Sequence, residues 1–295
     1  MTVRVFAVDD SAVVRQTLIH LLADDPEIAL LGSAPNPLIA APMIRKLQPD
    51  VLLLDIEMPG MDGLTFLRQL MAESPIPTVI VSTLTVKGSA VALEALAAGA
   101  VAVVAKPRLG LKKFLEDSRR ELAQTLKAAA RARPQAAAPV VARPTVSAHP
   151  VVAGLHALSV NKPILIGGST GGTQAIESVL TALPADAPGI AVVQHMPAKF
   201  TAMYAQRLDA VCAMSVREAR DGDRLERGVA LIAPGGLHMQ LRKSGGQYYV
   251  AIADGPPVNR HKPSVCVLFR SAAECAGKDV LAILLTGMGD DGARG

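Results

Sequence analysis

Between Val3 and Ala105 short runs of aliphatic and β-branched residues alternate with stretches whose apolar residues recur at helical spacing. The runs are VRVFAV, IALLGS, VLLLDI, PTVIVS and VAVVA. Runs of this length with little polar alternation are buried on both faces, the pattern of a parallel sheet covered by helices. Five successive βα units predict an α/β, doubly wound, flavodoxin-like domain of five parallel strands, with ligands gathering at the carboxyl ends of the strands. Pro42 falls inside the second helical segment, where it predicts a kink or sets the true start of the helix. A last amphipathic pattern runs from about Leu111 to Ala129.

The periodicity then stops. RARPQAAAPVVARPTVSAHPVVAG holds Ala, Pro and Val without an apolar face, and predicts a flexible linker over 127–160, between a first domain at 1–126 and a second at 161–295. From Lys162 a second α/β series follows: PILIGGS, a helix after Gly172, GIAVVQH, a helix from about Lys199, AMSVREA, GVALIAP, LHMQLR, QYYVAIA, a helix after Pro263, and DVLAILLTG. LHMQLR and QYYVAIA flank KSGG, Lys243 to Gly246, which predicts an antiparallel hairpin in a domain whose sheet is mostly parallel.

Composition narrows the function classes. Half of the 295 residues are apolar and only 3% aromatic, so both cores are built from Val, Leu, Ile and Ala. The formal charge is +4, but Arg119, Arg120, Lys127, Arg131, Arg133 and Arg143 share one stretch without interleaved aromatics. No nucleic-acid partner is therefore expected, and no helix-turn-helix with a basic recognition helix follows the linker. Cys212, Cys266 and Cys275 lack CxxC spacing, which argues against a disulfide framework or a thiolate zinc site and fits a reducing cytoplasm. Glu94 interrupts the best apolar run, so no membrane insertion is expected and the protein is read as cytoplasmic.

Two groups of residues carry chemistry. Asp9 and Asp10 close the first strand, Asp55 closes the third, Thr83 follows the fourth and Lys106 ends the fifth, so all converge on one sheet edge. Three clustered carboxylates repel one another unless a cation sits among them, and hard oxygen ligands suit Mg²⁺. With Mg²⁺ and Lys106 neutralising phosphoryl oxygens, Asp55 is placed to accept a phosphoryl group and Thr83 to offer it a hydroxyl. AVDDSAVVR, LLLDIEMPGMDG, the Ser82-Thr83 pair and AKP resemble the receiver domain of two-component response regulators, over Met1 to about Leu126. The resemblance implies that a histidine kinase phosphorylates Asp55, with Asp9 and Asp10 as metal acids. Receivers often carry an aromatic residue three positions before the lysine; here Val103 stands there, so switching is expected through the Thr83 loop rather than an aromatic rotamer.

In the second group, Gly167-Gly168-Ser169-Thr170-Gly171 reads as G-x-S-x-G at a strand-to-helix turn, which exposes a serine hydroxyl beside free helix N–H groups. Such turns also cradle phosphate, and a nucleotide-binding module is the alternative. His195 ends the next strand and Asp291 follows the last one in TGMGDDG, so nucleophile, base and orienting acid each find a strand end. The order Ser, His, Asp departs from that of the α/β-hydrolases. GGSTGG, QHMP, APGG, NRHKPSV and LLTGMGDDG resemble the catalytic domain of the CheB family of protein-glutamate methylesterases, from Lys162 to the end.

That resemblance implies Ser169 as nucleophile, His195 as general base and acid, Asp291 rather than Asp290 as its partner, and the backbone N–H groups of Thr170 and Met288 as the oxyanion hole. It implies as substrates the glutamyl methyl esters and glutamines of chemoreceptor cytoplasmic domains, with no cofactor for the esterase step. Control by phosphorylation needs contacts that differ between two states of the receiver, and the economical model is a receiver that covers the Ser169 edge until phosphorylated. Cys266 stands where the family usually has an acid, and a closing segment is expected beyond Gly295, without which Asp291 is expected to be poorly ordered. His238 and His261 receive no role.

Overall fold

The computed structural model describes residues 2–58, 62–83, 85–106, 112–132, 162–287 and 289–295. The chain divides into two compact units, Met1–Ala138 and Pro139–Gly295.

The first unit alternates β1 (Val3–Val8), α1 (Ala12–Leu22), β2 (Ile28–Ala34), α2 (Pro37–Leu47), β3 (Val51–Asp55), α3 (Gly63–Glu73), β4 (Thr78–Ser82), α4 (Val86–Ala97), β5 (Ala102–Ala105) and α5 (Lys112–Ala129). Its five strands pair in parallel in the order β2-β1-β3-β4-β5. The period of two divides their side chains between faces. Val5 and Ala7, Val51 and Leu53, Val79 and Val81 pack with Leu18 and Leu22 of α1 and Leu122 and Leu126 of α5, while the alternate residues Phe6, Leu52, Leu54 and Ile80 are equally buried. Ser11, Asn36, Asp62 and Thr85 cap the first four helices with side-chain oxygens, so the predicted turns are also helix starts.

Two details bear on the predicted element boundaries. Of the two alternatives at Pro42, a helix start is excluded: α2 begins at Pro37, one residue after the Asn36 cap, and continues past Pro42 to Leu47. Helix α5 ends at Ala129, where its amphipathic pattern stops, with Leu126 and Ala129 fully buried, so residues 127–129 of the predicted linker belong to this helix. Two of the clustered cations serve this helix: Arg119 meets Asp24 at 3.0 Å, and Lys127 meets Asp25 at 2.9 Å and Glu27 at 2.6 Å. The rest of the predicted linker, from residue 133 onward, lies outside the described residues.

The second unit contains β6 (Ile164–Gly168), α6 (Gly172–Thr181), β7 (Ile190–Gln194), α7 (Ala198–Val211), β8 (Ser215–Glu218), β9 (Val229–Ile232), β10 (His238–Ser244), β11 (Gln247–Ala253), α8 (Val265–Cys275), a 3₁₀ turn (Gly277–Asp279) and β12 (Leu281–Leu284). Five strands pair in parallel in the order β12-β6-β7-β9-β8. The hairpin is a separate two-stranded sheet, β10 with β11, turning at Gly245-Gly246, where both φ angles are positive. It is not inserted among the parallel strands. Met239, Leu241, Tyr248 and Val250 of the hairpin join Val265, Leu268 and Phe269 of α8 over Leu165, Ala191, Val193 and Leu231 of the sheet. Among the described residues no helix is long and apolar enough to cross a membrane.

Candidate functional site

In the first unit the strand order reverses between β1 and β3, and the acids sit at that switch point. Asp9 and Asp55 are buried, Asp10 is exposed, and one carboxylate oxygen of each lies within 4.8 Å of the others. Lys106 places Nζ 2.7 Å from Asp55 Oδ2 and 3.4 Å from Asp9 Oδ2. Burial first, then the charge of Asp55, raises the Asp9 pKa against the pull of Lys106. Burial acts to lower the pKa of Lys106, but its hydrogen bond to Asp55 and the two carboxylate charges outweigh that and raise it. Asp9 Oδ2 is buried and, among the described residues, has no hydrogen bond beyond the long 3.4 Å approach of the Lys106 ammonium. A buried carboxylate oxygen so weakly satisfied, beside two further acids, fits a hard cation.

Thr83 reaches this edge but not Asp55. Its hydroxyl donates to Glu57 Oε2 at 2.8 Å and lies 3.2 Å from Thr85 Oγ1. Glu57, whose own N–H donates to Asp55 Oδ1 at 3.0 Å, is a residue the sequence reading passed over.

In the second unit β6 lies between β7 and β12, so the strand order again reverses where Ser169 emerges. The Ser169 N–H donates to Thr286 O beyond β12 at 3.1 Å, and the His195 N–H donates to Gly168 O at 3.1 Å, which ties the three strand ends together. Helix α6 opens on Gly171, with φ of +76° and no side-chain cap, unlike the first four helices of the chain. At Gly172 a Cβ would stand 2.2 Å from Gln194 Oε1, so the turn closes tightly over that amide. Thr286 Oγ1 donates to Thr170 O at 3.3 Å and holds the Thr170 peptide. Met288 lies outside the described residues.

Ser169 and His195 directly after β6 and β7, and Asp291 in the loop that follows β12, bring their side chains into one line. Ser169 Oγ is 3.1 Å from His195 Nδ1, and His195 Nε2 is 2.8 Å from Asp291 Oδ2. Burial acts to raise the Asp291 pKa, but hydrogen bonds from His195, Ser264, Cys266 and Val265 hold it far below the ordinary carboxylate range. An ionised Asp291 only accepts, so Nε2 carries the hydrogen and the Nδ1 lone pair faces the serine hydroxyl. Such an arrangement can transfer a proton away from Ser169 as its oxygen attacks a carbonyl carbon.

The Asp291 carboxylate is buried. Its side chain is 1% exposed and it sits at the N-terminus of α8, accepting from the N–H groups of Val265 at 2.7 Å and Cys266 at 3.1 Å and from Ser264 Oγ at 2.6 Å. Helix α8 has no side-chain cap from Ser264 to its own backbone; the carboxylate from the far end of the domain takes that place, where the helix dipole favours a negative charge. Cys266 is part of this seat. Its sulfur accepts from Gly292 N–H at 3.0 Å and from Asn259 Nδ2 at 3.1 Å.

Residues 164–295 match the CheB methylesterase family, and residues 5–116 match the response regulator receiver domain. A protein-glutamate methylesterase/protein-glutamine glutaminase 1 from Xanthomonas oryzae pv. oryzae is 55% identical over 98% of this chain and 85% of its own. The chain belongs to the CheB family. A protein-glutamate methylesterase/protein-glutamine glutaminase 5 from Anaeromyxobacter dehalogenans is 55% identical over 99% of this chain and 83% of its own. The crystal structure of the Thermotoga maritima CheB methylesterase catalytic domain is 37% identical over 45% of this chain and 71% of that one, with a TM-score of 0.44.

Several residues that build the site escaped the sequence reading. Gln194, buried beneath the turn, donates from Nε2 to Ser169 O at 2.8 Å and to His195 O at 3.2 Å. Its only sequence signal was its place before His195 in QHMP. Ser264 and Asn259 stood in NRHKPSV with no role, because nothing local shows that this segment faces Asp291. His238 is structural: it is 3.0 Å from Pro256 O through Nε2, and the Ser264 N–H donates to its Nδ1 at 3.3 Å. Cys212 is buried away from the site, its thiol pushed up to about 12 by burial and by Glu177 and Asp209.

Proposed function

We propose that the second unit hydrolyses glutamyl methyl esters and deamidates glutamines on chemoreceptor cytoplasmic domains, in chemotaxis adaptation, by a Ser-His-Asp triad under phosphorylation control by the first unit. The carrying observation is the line from Ser169 Oγ through His195 to Asp291 Oδ2, at 3.1 Å and 2.8 Å.

Ser169 Oγ attacks the ester carbonyl carbon while His195 Nδ1 takes its proton. The negative oxygen of the tetrahedral species is received by the Thr170 and Met288 N–H groups, and losing one such donor typically costs about 3 kcal/mol of transition-state stabilisation. As the C–O or C–N bond of the tetrahedral species breaks, His195 returns the proton to the departing methoxy oxygen of an ester or to the departing nitrogen of a glutamine amide, and methanol or ammonia leaves an acyl-enzyme. Water, deprotonated by His195, releases Ser169 and leaves a glutamate carboxylate. Asp291 keeps Nε2 protonated throughout and offsets the charge of the imidazolium.

Asp55 is the phosphoacceptor, supplied by the histidine kinase of the pathway. Asp9, Asp10 and Asp55 would hold Mg²⁺, which when bound supplies positive charge against the phosphoryl oxygens. Lys106, already paired to Asp55 at 2.7 Å, adds a second cation. Thr83 leaves Glu57 to meet the phosphoryl group, and the phosphorylated state alters the esterase rate by biasing an existing equilibrium. The test is methanol release from methylated receptor fragments, with and without acetyl phosphate, beside Ser169→Ala. Release that persists in Ser169→Ala sinks the assignment; release that needs Ser169 and rises with acetyl phosphate supports both halves.

A further inference from the structure

The segment between the hairpin and α8 delivers a second imidazole to the site. The His261 ring lies on the His195 ring, with centroids 3.6 Å apart and planes within 10° of parallel. His195 is thus held at both ring nitrogens, by Ser169 and Asp291, and on one face by His261.

The backbone that presents His261 is a tight turn. Val258 N–H donates to His261 O at 3.1 Å and His261 N–H donates to Val258 O at 3.0 Å. The two residues between them, Asn259 and Arg260, have φ of +50° and +69° although neither is glycine. Asparagine enters that region readily in tight turns, but an arginine there is uncommon, and such positions gather at functional sites. Here the surroundings are visible. Asn259 Nδ2 donates to Asp291 Oδ1 at 3.2 Å and to Cys266 Sγ at 3.1 Å, so one turn supports the acid with one residue and the base with another two positions on.

We infer that His261 is a positioning residue for the general base: its flat ring fixes the plane of the His195 imidazole, keeping Nδ1 on Ser169 while that ring takes and returns a proton. Hydrogen bonds at the two ring nitrogens resist out-of-plane tilting of the imidazole only weakly, and a ring stacked on one face limits that tilt. The charged and titratable groups around His261 are His195, Asp291, Arg260 and Asp290, and burial followed by the charge of His195 lowers its pKa to about 4. It is therefore neutral at neutral pH, a π face that an imidazolium tolerates, rather than a competing base or a second cation.

This inference rests on the Ser169–His195–Asp291 reading. The test compares His261→Phe, which keeps a flat ring and cannot titrate, with His261→Leu, which fills space without a plane, and His261→Ala. Methanol release gives kcat and KM, and the rate of inactivation by diisopropyl fluorophosphate reports Ser169 reactivity without receptor. Thermal unfolding shows which variants are folded at the assay temperature. The expected result is a fall of about tenfold in kcat for His261→Leu and His261→Ala at unchanged KM, a parallel slowing of inactivation, and recovery to within about twofold in His261→Phe. Three results overturn it: kcat unchanged in the Leu and Ala variants, a rise confined to KM, or a Phe variant as slow as Leu. Wild-type release that does not depend on Ser169 identifies failure of the underlying triad instead, and the inference falls with it.

Discussion

Replacing Asp291 by asparagine isolates what the buried carboxylate does. Asp291 accepts five hydrogen bonds, three on Oδ1 from Ser264, Cys266 and Asn259 and two on Oδ2 from His195 and Val265. An asparagine keeps at most one of these oxygens. With its carbonyl at the Oδ1 position, its NH₂ group confronts the Val265 N–H and His195. Leaving that buried N–H without an acceptor costs about 1–3 kcal/mol, and losing a charge at the head of α8 costs up to about 2 kcal/mol more, so a loss of about 3 kcal/mol in stability is expected. Catalysis suffers more. An amide donor opposite Nε2 selects the other tautomer, which puts a hydrogen on Nδ1 and leaves Ser169 without a base. In another Ser-His-Asp enzyme the corresponding change lowers kcat by about 10⁴, close to 5 kcal/mol of transition-state stabilisation, and a similar fall is expected here. Methanol release measures kcat and urea unfolding measures stability on the same protein. An Asp291→Asn variant that is folded and within tenfold of wild-type kcat refutes the reasoning, since an amide cannot hold His195 in the required tautomer.

Three other outcomes follow from the geometry. Acetyl phosphate is expected to raise methanol release, with both Asp55→Asn and EDTA removing the increment; an increment that survives in Asp55→Asn places the phosphoacceptor elsewhere. Gln194→Leu removes the donors to Ser169 O and His195 O, and is expected to cost about 1–3 kcal/mol in urea unfolding and to lower kcat; a wild-type value of both means that the backbone alone shapes the turn. Acid sensitivity has a definite sign. His261 titrates near 4 in the fold against 6.5 ordinarily, so between those values the unfolded chain binds more protons; stability is full above pH 6.5 and falls as pH drops toward 4. Asp291, held below the ordinary 3.8, adds a further loss only as pH falls below that value. Urea midpoints across this range should therefore decline, and His261→Leu should flatten the slope between pH 6.5 and 4; an unchanged slope assigns it to other groups.

Much of this protein follows from its linear pattern. The continuous aliphatic strands between helical segments determine two parallel α/β units, because a strand buried on both faces has no polar side to alternate. Residues directly after those strands necessarily collect on one edge, and so Asp9, Asp55 and Lys106, or Ser169 and His195, can be grouped without coordinates. What the sequence leaves open is whatever depends on approach between distant segments. Only the tertiary structure puts Asp291 on the head of α8, making its seat from Ser264, Val265 and Cys266, because a helix N-terminus offers unpaired N–H groups to any acid that reaches it, irrespective of separation along the chain. It alone turns Thr83 toward Glu57, sets Gln194 beneath Ser169 and lays His261 on His195. Periodicity reports which face of an element is buried. Which side chain meets that face is decided by how the elements pack, and no local pattern encodes it.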